Sequence, residues 1–373
     1  MLTPALKRLL AGLMAATALG AASAHAQTEG QVSDQAQTAI AAKKQLNLLV
    51  VPLPVVDPAL GNGAVLATAA FYSPVQGGRQ WITGLGGLYT SNKDWAVMVL
   101  QQADLMNGKL RLGAAAGYGE FNLDFFGIGQ SAGSQGRSIR IKEKGEVFIF
   151  NGLYNIRGGF YGGLRFRYLD QTTSLAEPLF PDHPLIPDAQ FGTRISGLGP
   201  AIDYDTRDQE FTPKKGVFVS GQWLFDSPSL GSSFTYNKLT LAGNLYHSLN
   251  AKTVVAVRGS ICNSTSAPFY DLCFFGSDHD LRGYEGGRYR DHSMYAVQAE
   301  IRRDLFWRFG ATAFVGLGGV ASSFSSFGNA DMLPAAGVGL RFQPSKKIPV
   351  NISVDYAAGK DGSGLYIYMG EAF

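Results

Sequence analysis

The chain has 373 residues, of which 16% are charged, 12% aromatic and 47 are glycine. That length admits one large domain or two or three small ones. The formal charge falls from +3 to +1 once Lys7 and Arg8 of the leader are removed, and a nearly neutral chain gives no reason to expect a nucleic-acid partner.

The first elements are for targeting. Lys7 and Arg8 precede the apolar run Leu9–Leu19, and Ala24-His25-Ala26 offers a small-x-small cleavage site before Gln27. Residues 1–26 therefore read as a secretory signal peptide, the apolar run being too short to span a bilayer. Residues 27–45 are polar and rich in Ala and Gln, as a flexible periplasmic lead would be. No stretch of 18 apolar residues follows, so the exported chain is expected to be a soluble all-β protein or a transmembrane β-barrel.

From about Leu46 the hydrophobic period is two. Sixteen candidate strands follow, at 47–54, 63–72, 82–92, 94–103, 107–121, 142–152, 157–170, 193–205, 213–225, 233–247, 251–261, 293–304, 307–320, 332–344, 349–359 and 363–373. Within them Leu164, Phe166 and Tyr168 alternate with Arg165 and Arg167, and Val350, Ile352, Val354 and Tyr356 alternate with Asn351, Ser353 and Asp355. A soluble sandwich also alternates. Three features favour a membrane barrel. The strands are long enough to cross a tilted bilayer. The polar face mixes charges of both signs with glycine, as a wet lumen would. Tyr168, Tyr204, Trp223, Tyr356, Tyr366 and Tyr368 sit toward strand ends, where interfacial girdles belong.

The connections also alternate. Asp104–Gly108, Asn155–Gly158, Asn250–Lys252 and Phe306–Arg308 are tight, whereas 122–141, 171–192, 262–292 and 321–331 are long. Short periplasmic turns and long external loops are a barrel pattern. The loop of 262–292, which contains FFGSDHDLRGYEGGRYRD from Phe274 to Asp291, follows the eleventh strand and is the sixth external loop. It is too polar to build its own core and far longer than an ordinary hairpin connection, which marks it as functional or disordered. Cys262 and Cys273 are the only cysteines and lie at its start. In an oxidising compartment they are expected to form a disulfide; a metal site would favour a shorter spacing. Leu365, Ile367, Met369 and Phe373 share one face of the last candidate strand, with Glu371 interrupting it. A terminal aromatic there resembles the signal that outer-membrane barrels present to their insertion machinery.

These motifs resemble the bacterial surface antigen superfamily, the sixteen-stranded barrels of BamA/TamA-type assembly factors and two-partner secretion pores. Leu281-Arg282-Gly283-Tyr284 looks like the family's sixth-loop motif, and Tyr295–Leu305 like its twelfth strand, with Glu300 and Arg302 in place. Asp205, Arg207, Asp208, Pro213 and Gly216 match its D-x-R-D…P-x-x-G strand and turn. The likeness covers roughly 46–373. It implies that the loop folds into the lumen, with Arg282 locked onto Glu300. A guanidinium there needs carboxylates in bidentate geometry, and lysine lacks the fork. The family's strand-thirteen acid is replaced by Gly316, so the expectation is either a weaker lock or substitution by Asp304 or Asp355.

The resemblance implies a short member without periplasmic POTRA domains, accessory to outer-membrane biogenesis or to protein or lipid translocation. Its implied partners are outer-membrane lipids, the insertion machinery and a periplasmic partner or client protein. The alternative is a passive or gated pore, for which Arg165, Arg167 and Arg341 would favour anions. An outer-membrane enzyme is a third class. Ser277 and His279 lack any elbow or oxyanion arrangement, and Asp278, His279, Asp280 and His292 lack tight metal spacing. No cofactor and no metal are expected.

Overall fold

The computed structural model describes residues 47–57, 59–72, 74, 81–175, 191–209, 212–276, 280–344 and 351–373. The expected signal peptide and periplasmic lead lie outside the described residues.

Sixteen strands form one antiparallel sheet in sequence order. The first eleven are β1 (Asn47–Asp57), β2 (Gly61–Tyr72), β3 (Trp81–Thr90), β4 (Trp95–Leu105), β5 (Leu110–Phe125), β6 (Ile139–Arg157), β7 (Phe160–Leu175), β8 (Phe191–Asp205), β9 (Gly216–Asp226), β10 (Tyr236–Asn250) and β11 (Thr253–Thr265). Inside the sixth loop, β12 (Cys273–Phe274) pairs with β13 (Arg290–Asp291) as a separate two-stranded piece. The barrel resumes with β14 (Ser293–Asp304), β15 (Phe309–Ala321), β16 (Leu333–Phe342), β17 (Ile352–Gly359) and β18 (Gly362–Met369). The third external loop carries one short helix, α1 (Gln130–Gln135). Strands β1 and β18 lie side by side, with no ladder joining them among the described residues.

Parity sets the two faces. Leu164, Val338, Leu340 and Tyr356 are more than half exposed and form part of an apolar outer belt, whereas Arg165, Ser353 and Asp355 are buried on the opposite face. An all-polar lumen does not hold for the first strands. Val65 of β2, Leu88 of β3, Ala96 and Met98 of β4, and Ile149 of β6 are buried inward and pack with Ala267, Tyr270 and Leu272 of the sixth loop. That part of the wall meets protein rather than water, so it is apolar on both faces.

The last strand differs from its expected span. It ends at Met369, and Gly370 turns the chain with φ +85°. Phe373 therefore does not continue the outer face of β18. It is buried in a cluster with Tyr246, Ala256 and Ala372. Opposite parity to the exposed Leu365 also takes Tyr366 inward, where it is buried, away from any girdle.

Candidate functional site

The sixth loop leaves β11 at the external end and returns to β14 through the lumen. Its base is a built structure. Cys262 of β11 and Cys273 of β12 form a disulfide with Cα atoms 5.7 Å apart. Facing Cys273 is Asp291 of β13, and the Phe275 amide donates to the Tyr289 carbonyl at 2.9 Å. Phe275, Tyr284 and Tyr289 then pack edge to face, in a cluster completed by Met294, Val320 and Leu333 of the wall.

The tip is Leu281-Arg282-Gly283-Tyr284. Arg282 is fully buried. Its Nη2 donates to Glu300 Oε2, its Nη1 to Asp355 Oδ2, and its Nε to Gln298 Oε1 at 3.0 Å. The guanidinium carbon lies 3.5 Å from the centre of the Phe314 ring. Every side of the charge is thus occupied, which a buried guanidinium requires. Burial alone would push the Arg282 pKa down, but Glu300, Tyr368 and Asp355 reverse this and hold it above its ordinary value. Gly283 sits at φ +109°, and a Cβ there would meet Ala335 at 3.2 Å and backbone of 358–359 at 3.0–3.1 Å. Only glycine combines that backbone with that approach. The Tyr284 hydroxyl donates to the Pro334 carbonyl at 2.6 Å and accepts from the Lys360 amide at 3.1 Å.

The lock is larger than one ion pair. Gln298, Glu300 and Arg302 lie two apart on β14 and share its inner face. Arg302 donates to Glu300 at 2.6 Å. Arg341 of β16 bonds Asp355 through Nη1 and Glu371 through Nε at 2.6 Å. Arg282, Arg302 and Arg341 thus face Glu300, Asp355 and Glu371, three charges against three in one network. Of the two acids expected to replace the one lost at Gly316, Asp355 is in place. Asp304 lies at the periplasmic end and pairs with Lys214 at 3.4 Å.

A second anchor holds the loop from the opposite wall. Asp271 takes a bidentate pair from Arg167 of β7 at 2.9 and 2.8 Å. It also accepts from the Tyr236 hydroxyl at 2.6 Å and Lys238 Nζ at 3.1 Å, both on β10. Burial would raise the Asp271 pKa, but Arg167 and Lys238 outweigh it and hold the carboxyl at about 2. Sequence reasoning missed this residue, because one acid in a polar loop has no pattern of its own. Inward-facing Arg167 and Lys238 were the available signal, since buried cations demand a carboxylate.

At the mouth, Arg288 donates to the carbonyl of Gly133 in α1 at 3.0 Å and to the Asp361 carbonyl at 3.1 Å. Tyr289 bonds the Asp361 carboxylate. The loop is therefore tied to its external neighbours as well as to the wall.

The D-x-R-D motif lies at the periplasmic end, apart from the lock. Arg207 donates to Asp205 at 2.9 and 2.7 Å and covers the Phe218 ring at 4.3 Å. Asp208 accepts from the Lys214 and Lys215 amides at 2.9 and 3.0 Å, closing the turn that holds the buried Pro213 and leads to Gly216. Ser277, Asp278 and His279 lie outside the described residues. Asp280 Oδ1 accepts from the next amide at 2.7 Å, and His292 offers its carbonyl to Ser264.

The Omp85 superfamily domain is matched over residues 146–373. No curated protein sequence matches the chain. Among solved structures, BamA from Haemophilus ducreyi lacking POTRA domains 1–3 is similar with a TM-score of 0.61 at 16% identity, covering 88% of this chain and 71% of that one. CdiB from Acinetobacter baumannii gives 0.56 at 13% identity, covering 88% of this chain and 60% of that one. CdiB from Escherichia coli gives 0.57 at 8% identity, with coverages of 90% and 68%. At such identities the likeness is one of fold, whereas the family match extends over more than half of the sequence. The chain belongs to the Omp85 superfamily, as an outer-membrane β-barrel related in fold to BamA and CdiB.

Proposed function

We propose that this barrel is accessory to outer-membrane biogenesis, or to translocation of protein or lipid, and acts without enzymatic chemistry. Its sixth loop serves as the internal lock. The observation that carries this reading is Arg282, buried between Glu300 and Asp355. Burying a guanidinium is costly, and a strap tied down in this way is suited to staying closed until a partner displaces it. The partners expected from the family are outer-membrane lipids and a periplasmic partner or client protein.

The pore reading has less support. Of its three proposed anion-selecting arginines, Arg167 and Arg341 are ion-paired, and Arg165 donates to Gln222 at 2.9 Å. The deciding experiment compares outer-membrane protein and surface-lipid composition in a deletion strain with its parent. A broad loss of other barrels, or altered surface lipid, supports the proposal. An unchanged membrane with altered uptake or leakage of small anions overturns it in favour of a pore.

A further inference from the structure

Beyond Met369 the chain leaves the sheet and enters the lumen. Gly370 makes the turn, and its carbonyl accepts from the Ser353 hydroxyl at 2.6 Å. Glu371 follows, almost fully buried, with Arg341 Nε at 2.6 Å, Arg302 Nε at 3.6 Å and Asn351 Nδ2 at 2.7 Å. The Phe373 carbonyl accepts from Arg302 Nη2 at 2.6 Å, and its ring lies 5.4 Å from the Arg302 guanidinium carbon. Ala372 and Phe373 complete an apolar cluster with Tyr246 of β10 and Ala256 of β11, against which Tyr368 of β18 packs.

We propose that Gly370–Phe373 is an interior latch, coupled to the sixth loop through shared charges, with Glu371 as its positioning residue. Arg302 and Arg341 each serve two masters. Arg302 bonds Glu300 and Glu371; Arg341 bonds Asp355 and Glu371. Glu300 and Asp355 are also the carboxylates that hold Arg282. With Arg282 in place three guanidinium groups face Glu300, Asp355 and Glu371. Withdrawing Arg282 leaves two guanidinium groups for these carboxylates in a buried space. Glu300 and Asp355 then draw Arg302 and Arg341 toward themselves and away from Glu371, and the latch loosens. The effect falls on β18, the strand that adjoins β1 without a ladder. There the latch fixes the end of a strand that has no ladder on that side among the described residues. The inference concerns the barrel's internal mechanics and holds whatever the barrel handles.

The test is labelling of an Ala372→Cys variant by a water-soluble maleimide. The full barrel is reconstituted in lipid vesicles and kept oxidised so that Cys262 and Cys273 stay paired. Slow labelling is expected in this variant, and several-fold faster labelling when Arg282→Ala or Glu371→Gln is added. Fast labelling of A372C alone would place the segment outside the lumen, and a rate indifferent to R282A would remove the coupling; either result overturns the proposal. Should A372C fail to assemble, a urea-unfolding cycle of R282A, E371Q and the double variant reads the same coupling. A shift in the double variant smaller than the sum of the single shifts is expected, because residues of one network are not additive. Additive shifts overturn it.

Discussion

Arg282 on the sixth loop and Asp355 on β17 are bonded inside the lumen although 73 residues separate them in sequence. The same guanidinium bonds Glu300 on β14, three strands away around the wall. One loop residue thus ties two separated strands of the barrel, and the geometry of its fork is what allows it.

Arg282→Ala should therefore be the most damaging single change in the loop. It leaves Glu300 to Arg302 and the more distant Arg341, and Asp355 to Arg341 alone, and breaking buried pairs typically costs about 3–5 kcal/mol. Arg282→Lys keeps the charge but loses the fork, so its loss should fall between wild type and alanine. Urea-unfolding midpoints of the barrel in lipid or detergent measure this order. Equal midpoints for lysine and arginine would remove the geometric argument.

Restoring the family's strand-thirteen acid should harm this protein rather than help it. A Cβ on Gly316 would lie 2.4 Å from Leu281 Cδ1 and 2.6 Å from the Val297 carbonyl oxygen. The loop tip sits where the side chain would go, and Asp355 already supplies the second carboxylate. Gly316→Asp is expected to lower the unfolding midpoint by an amount typical of overpacking, about 1–3 kcal/mol. A raised midpoint would mean that the loop can shift to accept a third acid.

The sequence made the strands legible because parity is a local property. The alternation of Val354 and Tyr356 with Ser353 and Asp355 is visible in four consecutive residues, and the structure places the two sets on opposite faces. Arg282 and Glu300 were legible only through their resemblance to a family motif, since nothing local joins residues on a loop and a strand. Asp271 has no such motif, and its partners Arg167 and Lys238 lie 104 and 33 residues away. The inward turn at Gly370 left one trace, Glu371 interrupting an apolar face. The apolar lumen wall of β2–β4 left another, a run such as Gly63–Tyr72 with hardly a polar residue on either face. Near-continuous runs signal a strand covered on both sides, and here the cover is the loop itself.

The disulfide should hold the loop's base independently of the charges. It closes a short loop, with a sequence separation of 11. Chain-entropy arguments give a contribution of about 3 kcal/mol for a loop of that order. The unfolded, unreduced protein should show no free thiol. Reduction, or a Cys262→Ser/Cys273→Ser variant, should lower the unfolding midpoint and expose 266–276 to protease. Two free thiols in the unreduced protein would contradict the pairing.

The Asp271 anchor carries a pH signature of known sign. Burial opposes the charged form, but Arg167 and Lys238 hold the folded carboxyl at about 2, below its reference value of 3.8. A group depressed in the folded state contributes stability that is fully present above its unfolded pKa and lost as pH falls through the folded one. The window is therefore from about pH 4 down to about pH 2, and the depression corresponds to about 2 kcal/mol. Asp271→Asn removes the titrating group and leaves Lys238 without its carboxylate. The stability gap between wild type and this variant should be widest above pH 4 and should close as the pH is lowered toward 2. The comparison of unfolding midpoints is made pH by pH, so the other acids, which titrate in both proteins, cancel. A gap that stays constant or widens on acidification would mean that Asp271 is not held ionised by the wall.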